Sequence, residues 1–315
     1  MDNIKRFNLA VQSLSPRLKD VFISLPDSEK EKIREIRLRS RRAVTVITER
    51  GAEFVSQSGM LTQIYSGLVL QTDEIEIEDV FRRLCGYSVH SFRDAITNGY
   101  ITVSGGHRAG VAGTAVSENG KVTAVRDVCA INLRIAREIK GAANEIYKNE
   151  FSDGLQSVII AGPPSSGKTT VLRDLVRCLS GADKGRFYKT FVCDERGEIA
   201  ASVSGVEQND MGINSDILTS YPKAEGIMIG LRSFSPDIIV CDEIATSDEA
   251  AAIEAGVNSG VCFALSIHAK DERELRTKPV IQSLLRTGAF SKVILLSSKQ
   301  VGKTEKTFAA GDILV

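Results

Sequence analysis

The sequence carries no net charge: its 315 residues hold 40 Lys and Arg against 40 Asp and Glu. A protein that coats nucleic acid needs a marked basic excess, so no nucleic-acid partner is expected. Divided at residue 150, the first part has 22 basic and 19 acidic residues and the second 18 and 21, a mild asymmetry. The single basic cluster, Arg34, Arg37, Arg39, Arg41 and Arg42, alternates with Ile36 and Leu38 and reads as the solvated face of a strand. No apolar run approaches the roughly 20 residues that span a bilayer. Met1-Asp-Asn-Ile-Lys5 lacks a signal-peptide core. The six cysteines show no Cys-x2-Cys spacing, and most sit in apolar contexts where a free thiol behaves as a small hydrophobe, as suits a reducing compartment. A cytoplasmic chain is expected, linked to a membrane only through partners. No internal repeat or low-complexity tract is visible.

Against these absences stands one dense signal, Ser157-Val-Ile-Ile-Ala-Gly162-Pro163-Pro164-Ser165-Ser166-Gly167-Lys168-Thr169-Thr170. The apolar run Val158–Ala161 reads as a buried parallel strand. A Gly-x4-Gly-Lys-Thr loop follows, and then an apolar-periodic helix carrying Val171, Leu172, Leu175, Val176 and Leu179. Glycines let backbone N–H groups turn inward around a phosphate chain, and the helix start adds partial positive charge. Lys168 would reach the β/γ oxygens, and Thr169 would offer its hydroxyl to Mg²⁺. A second Gly302-Lys303-Thr304 has Ser297 where the first glycine should stand and no apolar helix after it, so it reads as a polar turn.

The length gives room for two domains. Expected boundaries are an α+β domain over 1–138, a polar helical linker over 139–152 and a P-loop domain over 153–315. In the first, Ile75–Cys85 is amphipathic, and Glu118-Asn119-Gly120-Lys121 is a hairpin turn. In the last, apolar strands at Val158–Ala161, Phe187–Cys193, Ile238–Cys241, Val261–Ile267 and Val293–Ser297 alternate with helices at 168–180, 223–234, 247–258 and 271–287. That alternation implies α/β architecture with a mostly parallel sheet covered on both faces.

Phosphoanhydride hydrolysis needs phosphate charge neutralised, Mg²⁺ held and a water aimed in line. Ile238-Ile-Val-Cys-Asp242-Glu243 is apolar up to a paired acid, the Walker B pattern: Asp242 would hold Mg²⁺ and Glu243 would orient or deprotonate water. Asp194-Glu195-Arg196-Gly197-Glu198 repeats the design on another strand, or else makes a local Arg196–Glu198 surface pair. His268 ends a third strand beside the phosphate site and suits sensing of the γ-phosphate. Arg232 would clamp phosphate or pair with a nearby acid. Arg134 and Arg137 fall at the domain junction, where an arginine delivered across a cleft accelerates phosphoryl transfer and where interdomain salt bridges are equally expected.

The order of these motifs resembles the secretion-superfamily ATPases, the hexameric motors of type II and type IV secretion and pilus retraction. Their Walker A, Asp box, Walker B and His box would fall on Gly162–Thr170, Asp194–Glu198, Ile238–Glu243 and Leu265–His268. Gly99–Arg108, Asn132–Glu138 and Gln208–Gly212 narrow the resemblance to the stage III sporulation protein AA family. The resemblance implies a RecA-like P-loop domain that binds ATP and Mg²⁺ and a ring-shaped homo-oligomer with nucleotide held between domains. It also implies a mother-cell role energising the channel to the forespore, with integral membrane proteins as partners. Arg134, Arg137 or Arg108 would then close the site from the first domain or a neighbour. Two departures stand out. Secretion motors usually carry Gly-Glu where this chain has Asp242-Glu243, which leaves either Glu243 or Glu195 to aim the water. The tail beyond Ser297 has no assigned role. Two other functions fit the same core: a nucleic-acid translocase using the 34–42 arginines, or a nucleotide-gated scaffold with little hydrolysis.

Overall fold

The computed structural model describes residues 3–97, 99–181 and 187–315, so Met1 and Asp2 of the leading segment fall outside it. The chain forms two compact units, Met1–Glu138 with Val203–Gln208, and Ile139–Ser202 with Asn209–Val315.

In the first unit, helices α1 (Asn3–Val11), α2 (Pro16–Ser24) and α3 (Asp27–Lys30) precede strands β1 (Glu35–Arg39), β2 (Arg42–Ala43), β3 (Thr45–Thr48), β4 (Gly51–Val55), β5 (Leu61–Thr62) and β6 (Gln71–Thr72). Helices α4 (Glu74–Leu84) and α5 (Arg93–Thr97) follow, then β7 (Tyr100–Val103), β8 (His107–Glu118) and β9 (Lys121–Arg134). The main sheet runs β5-β4-β3-β1-β9-β8-β7, antiparallel throughout, while β2 and β6 pair separately. The alternation expected of β1 holds: Ile36 and Leu38 are fully buried and the intervening Glu35, Arg37 and Arg39 are half-exposed. Arg34 and Arg41 pair with Glu49 and Glu74, and Arg39 reaches Thr45 Oγ1, so these members of the basic cluster are already engaged. Asn119 and Gly120, both at positive φ, close the β8–β9 hairpin, as a two-residue turn demands. Both strands run longer than their patterns suggest; β9 absorbs Asn132 to Arg134.

Arg6 is fully buried. Its guanidinium donates to Gly105 O at 3.1 Å, Gln208 O at 3.1 Å and Glu138 Oε2 at 3.0 Å, while Gln208 Oε1 accepts from Gly105 N at 2.6 Å. These contacts hold the 203–208 excursion in this unit. Beside them His107, also fully buried, accepts the Ala136 N–H at Nδ1 over 2.9 Å. Burial, then the Arg6 charge, pushes its pKa down to about 4.

The second unit begins with α6 (Asn144–Glu150), then β10 (Ser157–Gly162), α7 (Lys168–Ser180), β11 (Thr190–Asp194), β12 (Ser215–Thr219), α8 (Lys223–Ser233) and β13 (Ile238–Cys241). It continues with α9 (Ser247–Asn258), β14 (Cys262–His268), α10 (Glu272–Thr277), α11 (Pro279–Arg286), β15 (Phe290–Leu296), β16 (Thr304–Ala309) and α12 (Ala310–Ile313). Its sheet order is β12-β11-β13-β14-β10-β15-β16, parallel except for the β15–β16 edge pair. Both faces are covered. Ile159, Phe191, Ile239 and Phe263 face one hydrophobic cluster with α8, α9 and α11, while Val158, Ile160, Val192 and Val240 face the other with α6 and α7. That two-sided burial is why these strands read as continuous apolar runs.

Three expectations change here. Residues 139–152 are no linker: Ala143, Ile146 and Phe151 join the α7 core, and the Ala143 N–H donates to Asp174 Oδ2 at 2.8 Å. The 271–287 helix is two helices, because Pro279 lacks the N–H that would continue α10 and instead starts α11. Two strands escape the pattern, β12 and β16, both half-exposed at sheet edges and lacking an apolar run.

His107 yields a test. Its folded pKa lies below the ordinary 6.5, so as pH falls from 6.5 toward 4 the unfolded chain takes up a proton that the folded chain refuses, and stability falls. Between pH 7 and pH 5 this costs about 2 kcal/mol. His107→Asn should show a correspondingly flatter pH dependence in urea unfolding of the first unit's transition; equal pH dependence would refute the assignment.

Candidate nucleotide site

The loop between β10 and α7 is built for close backbone approach. Gly167 takes φ +91°, and Ser165 takes the left-handed φ +61° that a side chain adopts only under constraint. A Cβ at Gly162 would collide with Ser166 Oγ, and one at Gly167 would lie 2.9 Å from Gly302 N. Pro163 and Pro164 have no N–H to offer, so the donors of this loop are the amides from Ser165 onward, including those of the first turn of α7. Lys168 Nζ folds back onto the loop, donating to Gly162 O at 3.0 Å and Pro163 O at 2.9 Å. Burial pulls its pKa below the usual lysine range, while the carboxylates of Asp242 and Glu243 pull it up.

The acid that ends β13 meets this loop. Asp242 Oδ2 accepts from Thr169 Oγ1 at 2.7 Å, although β14 separates strand β13 from β10. Ser266 on β14 fills the gap: its fully buried hydroxyl donates to Asp242 Oδ1 and accepts the Glu243 N–H at 2.9 Å. The motif reading gave Ser266 no role; its signal was a hydroxyl two residues before His268 on an otherwise apolar strand. Glu243 sits at φ +52°, a backbone cost concentrated at functional positions.

Glu195 and Glu243 line one small cavity of about 10 Å³ together with Asp194, Arg196, Lys223 and Asp242. Arg196 pairs with Glu243, not with Glu198. Lys223, 7 % exposed, bridges Glu195 at 2.8 Å and Glu249 at 3.1 Å. Asp194 turns inward as a loop brace, accepting the N–H groups of Glu198, Ile199 and Ala200 at 2.8, 3.1 and 2.9 Å; burial raises its pKa despite them. His268 pairs in register with Gly162, at the mouth of the loop, and its carbonyl accepts from Lys278 Nζ. Lys278, absent from the motif reading, thereby brings a second cation near Lys168.

One expected residue of this unit lies away from the loop. Arg232 is corrected: it is exposed in the last turn of α8, nine residues beyond Lys223 and so about 13 Å further along the helix, toward the end where the strands begin. Arg134, Arg137 and Arg108 belong to the first unit and are engaged within it. Arg134 contacts Glu35 at 3.5 Å, Arg137 donates to the Glu31 and Ile33 carbonyls, and Arg108 lies 4.9 Å over the Tyr100 ring.

The cradle suits a phosphate chain: its amide-rich turn leaves no room for a Cβ, and the buried Ser166 Oγ has no hydrogen-bond partner among the described residues. Among the described residues no cluster of three or more His, Cys, Asp or Glu could hold a metal unaided. Thr169 and Asp242 offer instead a sparse donor pair of the kind that would suit Mg²⁺ with phosphates completing its shell.

A P-loop on a mostly parallel, two-faced sheet, with an α+β unit ahead of it, is the RecA-like fold of the secretion ATPases. The Yersinia pseudotuberculosis ATPase DotB superposes with a TM-score of 0.52 at 17% identity over 84% of this chain and 70% of its own. The pilus retraction motor PilT, solved with bound ADP, gives 0.52 at 16% identity over 84% and 74%. Sequence comparison is more specific. Residues 5–309 match the family described as sporulation stage III, protein AA, and the chain belongs to that family. It is 33% identical over 291 residues to the stage III sporulation protein AA of Bacillus subtilis (strain 168), covering 92% of this chain and 91% of that one.

Ser266→Ala should leave Asp242 Oδ1 and the Glu243 N–H short of a partner. A loss of about 1–3 kcal/mol in urea unfolding is expected. An unchanged midpoint would mean the Walker carboxylate does not depend on β14.

Proposed function

We propose that this chain is a Mg²⁺-dependent ATPase that energises assembly of, or transport through, the channel between mother cell and forespore during endospore formation. The observation that carries this reading is the 2.7 Å contact of Thr169 Oγ1 with Asp242 Oδ2 at the mouth of a Cβ-excluding loop.

In this reading the amides from Ser165 to Thr170 bind phosphate oxygens, and Lys168 moves from the Gly162 and Pro163 carbonyls to the β/γ oxygens. Thr169 and Asp242 would hold Mg²⁺, which would supply charge neutralisation to the phosphates. Glu243 takes the proton of the attacking water at Oε1, since Arg196 anchors Oε2. Glu195 is the weaker candidate: its partner Lys223 is buried, whereas the Arg196–Glu243 pair is exposed and worth little. His268 and Lys278 lie where a γ-phosphate would be sensed. Arg134, exposed and loosely held, is the arginine of its set freest to serve a neighbouring copy.

Family membership and the secretion-ATPase fold support a ring-shaped homo-oligomer, a hexamer, acting in the cytoplasm against integral membrane proteins of the channel. Among the described residues no helix is long and apolar enough to cross a membrane, in keeping with attachment through partners.

Phosphate release and nucleotide binding, measured alongside mass in solution with and without ATP, test the proposal. Lys168→Ala should abolish turnover. Glu243→Gln should still bind ATP while kcat falls about 10²- to 10⁴-fold, with a smaller fall for Glu195→Gln. An unchanged rate in Lys168→Ala would remove the P-loop from the mechanism.

A further inference from the structure

The turn between β15 and β16, which carries Gly302 and Lys303 of the second Gly-Lys-Thr, is docked on the phosphate loop. Gly302 N donates to Ser166 O at 2.8 Å. The two backbones are in contact: a Cβ added to Gly167 would lie 2.9 Å from Gly302 N and 3.0 Å from Val301 Cγ1. The turn is also braced internally, with Ser297 N donating to Lys303 O at 2.8 Å and Ser297 Oγ accepting the Lys299 N–H at 3.2 Å. Yet Val301, at its tip, is 67 % exposed.

Sheet order gives this placement a direction. Strands β14 and β13 lie on one side of β10, and β15 and β16 on the other. Thr169 meets Asp242 on the β14 side, which marks the metal and γ-phosphate end. A nucleotide laid along the loop from that end directs its α-phosphate, ribose and base toward the opposite side, over the docked turn.

We infer that the Ser297–Lys303 turn is the nucleoside subsite and that Val301 is the apolar platform on which the base rests. This rests on the nucleoside-triphosphate reading above and adds to it a residue that separates a nucleotide from a bare polyphosphate. An aromatic base has an apolar face, and covering an exposed valine with it is worth about tenfold in affinity. The remainder of the turn, with Lys299, Gln300 and Lys303 exposed, is too polar to supply that contact.

The test is calorimetric titration of the full chain with Mg-ATP and with Mg-tripolyphosphate. The unsubstituted chain should prefer ATP by tenfold or more, and Val301→Asp should reduce that ratio about tenfold. A ratio unchanged in Val301→Asp, equal affinity of the unsubstituted chain for both probes, or an equal loss of both in the variant would overturn the subsite. If tripolyphosphate binding nonetheless depends on Lys168, the phosphate-loop reading survives that result. A chain that takes up neither probe would overturn both.

Discussion

The carboxylate of Asp242 is the junction on which the second unit's chemistry depends. It accepts from Thr169 at the start of α7 and from Ser266 on β14, and so fixes three elements that begin far apart in sequence. Adjacent parallel strands alone would not bring a β13 carboxylate to an α7 hydroxyl, because β14 intervenes. The buried serine makes the crossing possible by satisfying one carboxylate oxygen and the amide of Glu243 at once. An acid held this way is oriented before any ligand arrives, which is what electrostatic catalysis of phosphoryl transfer requires.

The two units solve burial differently. In the second, every central strand is covered on both faces, so composition alone marks it. In the first, an antiparallel sheet alternates between a core face and a polar one, and its charged groups are managed individually. Arg6 shows the cost most plainly: a fully buried guanidinium is tolerable only with close acceptors, and Glu138, Gly105 and Gln208 provide them. This buried network also draws the segment after the Asp box into the first unit.

The legibility of the site follows the range of the interactions that build it. The glycine-rich loop is contiguous and its requirements are local, so Gly162, Gly167, Lys168 and Thr169 could be read together from one window. Asp242 could be read because an apolar strand ending in acids is also a local pattern. Arg232, read either as a clamp or as the partner of a nearby acid, could not be placed because its sequence distance from β13 says nothing about which end of α8 lies near the glycine-rich loop. Glu195 and Glu243 could not be ranked from sequence, since what separates them is whether the partner cation is the buried Lys223 or the exposed Arg196. Lys278 was missed, and Ser266, though inside the His box, had no role assigned, because neither shows its contacts until a neighbouring strand supplies them.

By itself the sequence determined the α/β architecture, the glycine-rich loop and the family, because periodicity, glycine placement and strand-ending acids are properties of short windows governed by backbone sterics and burial. Only the tertiary structure decided which hydroxyls hold Asp242, which cation neutralises which acid, and that an unpromising polar tail forms an edge strand whose turn seats on the glycine-rich loop. Those are pairings between residues tens to more than a hundred positions apart. Their energies exist only once the sheet order has set which strands are neighbours.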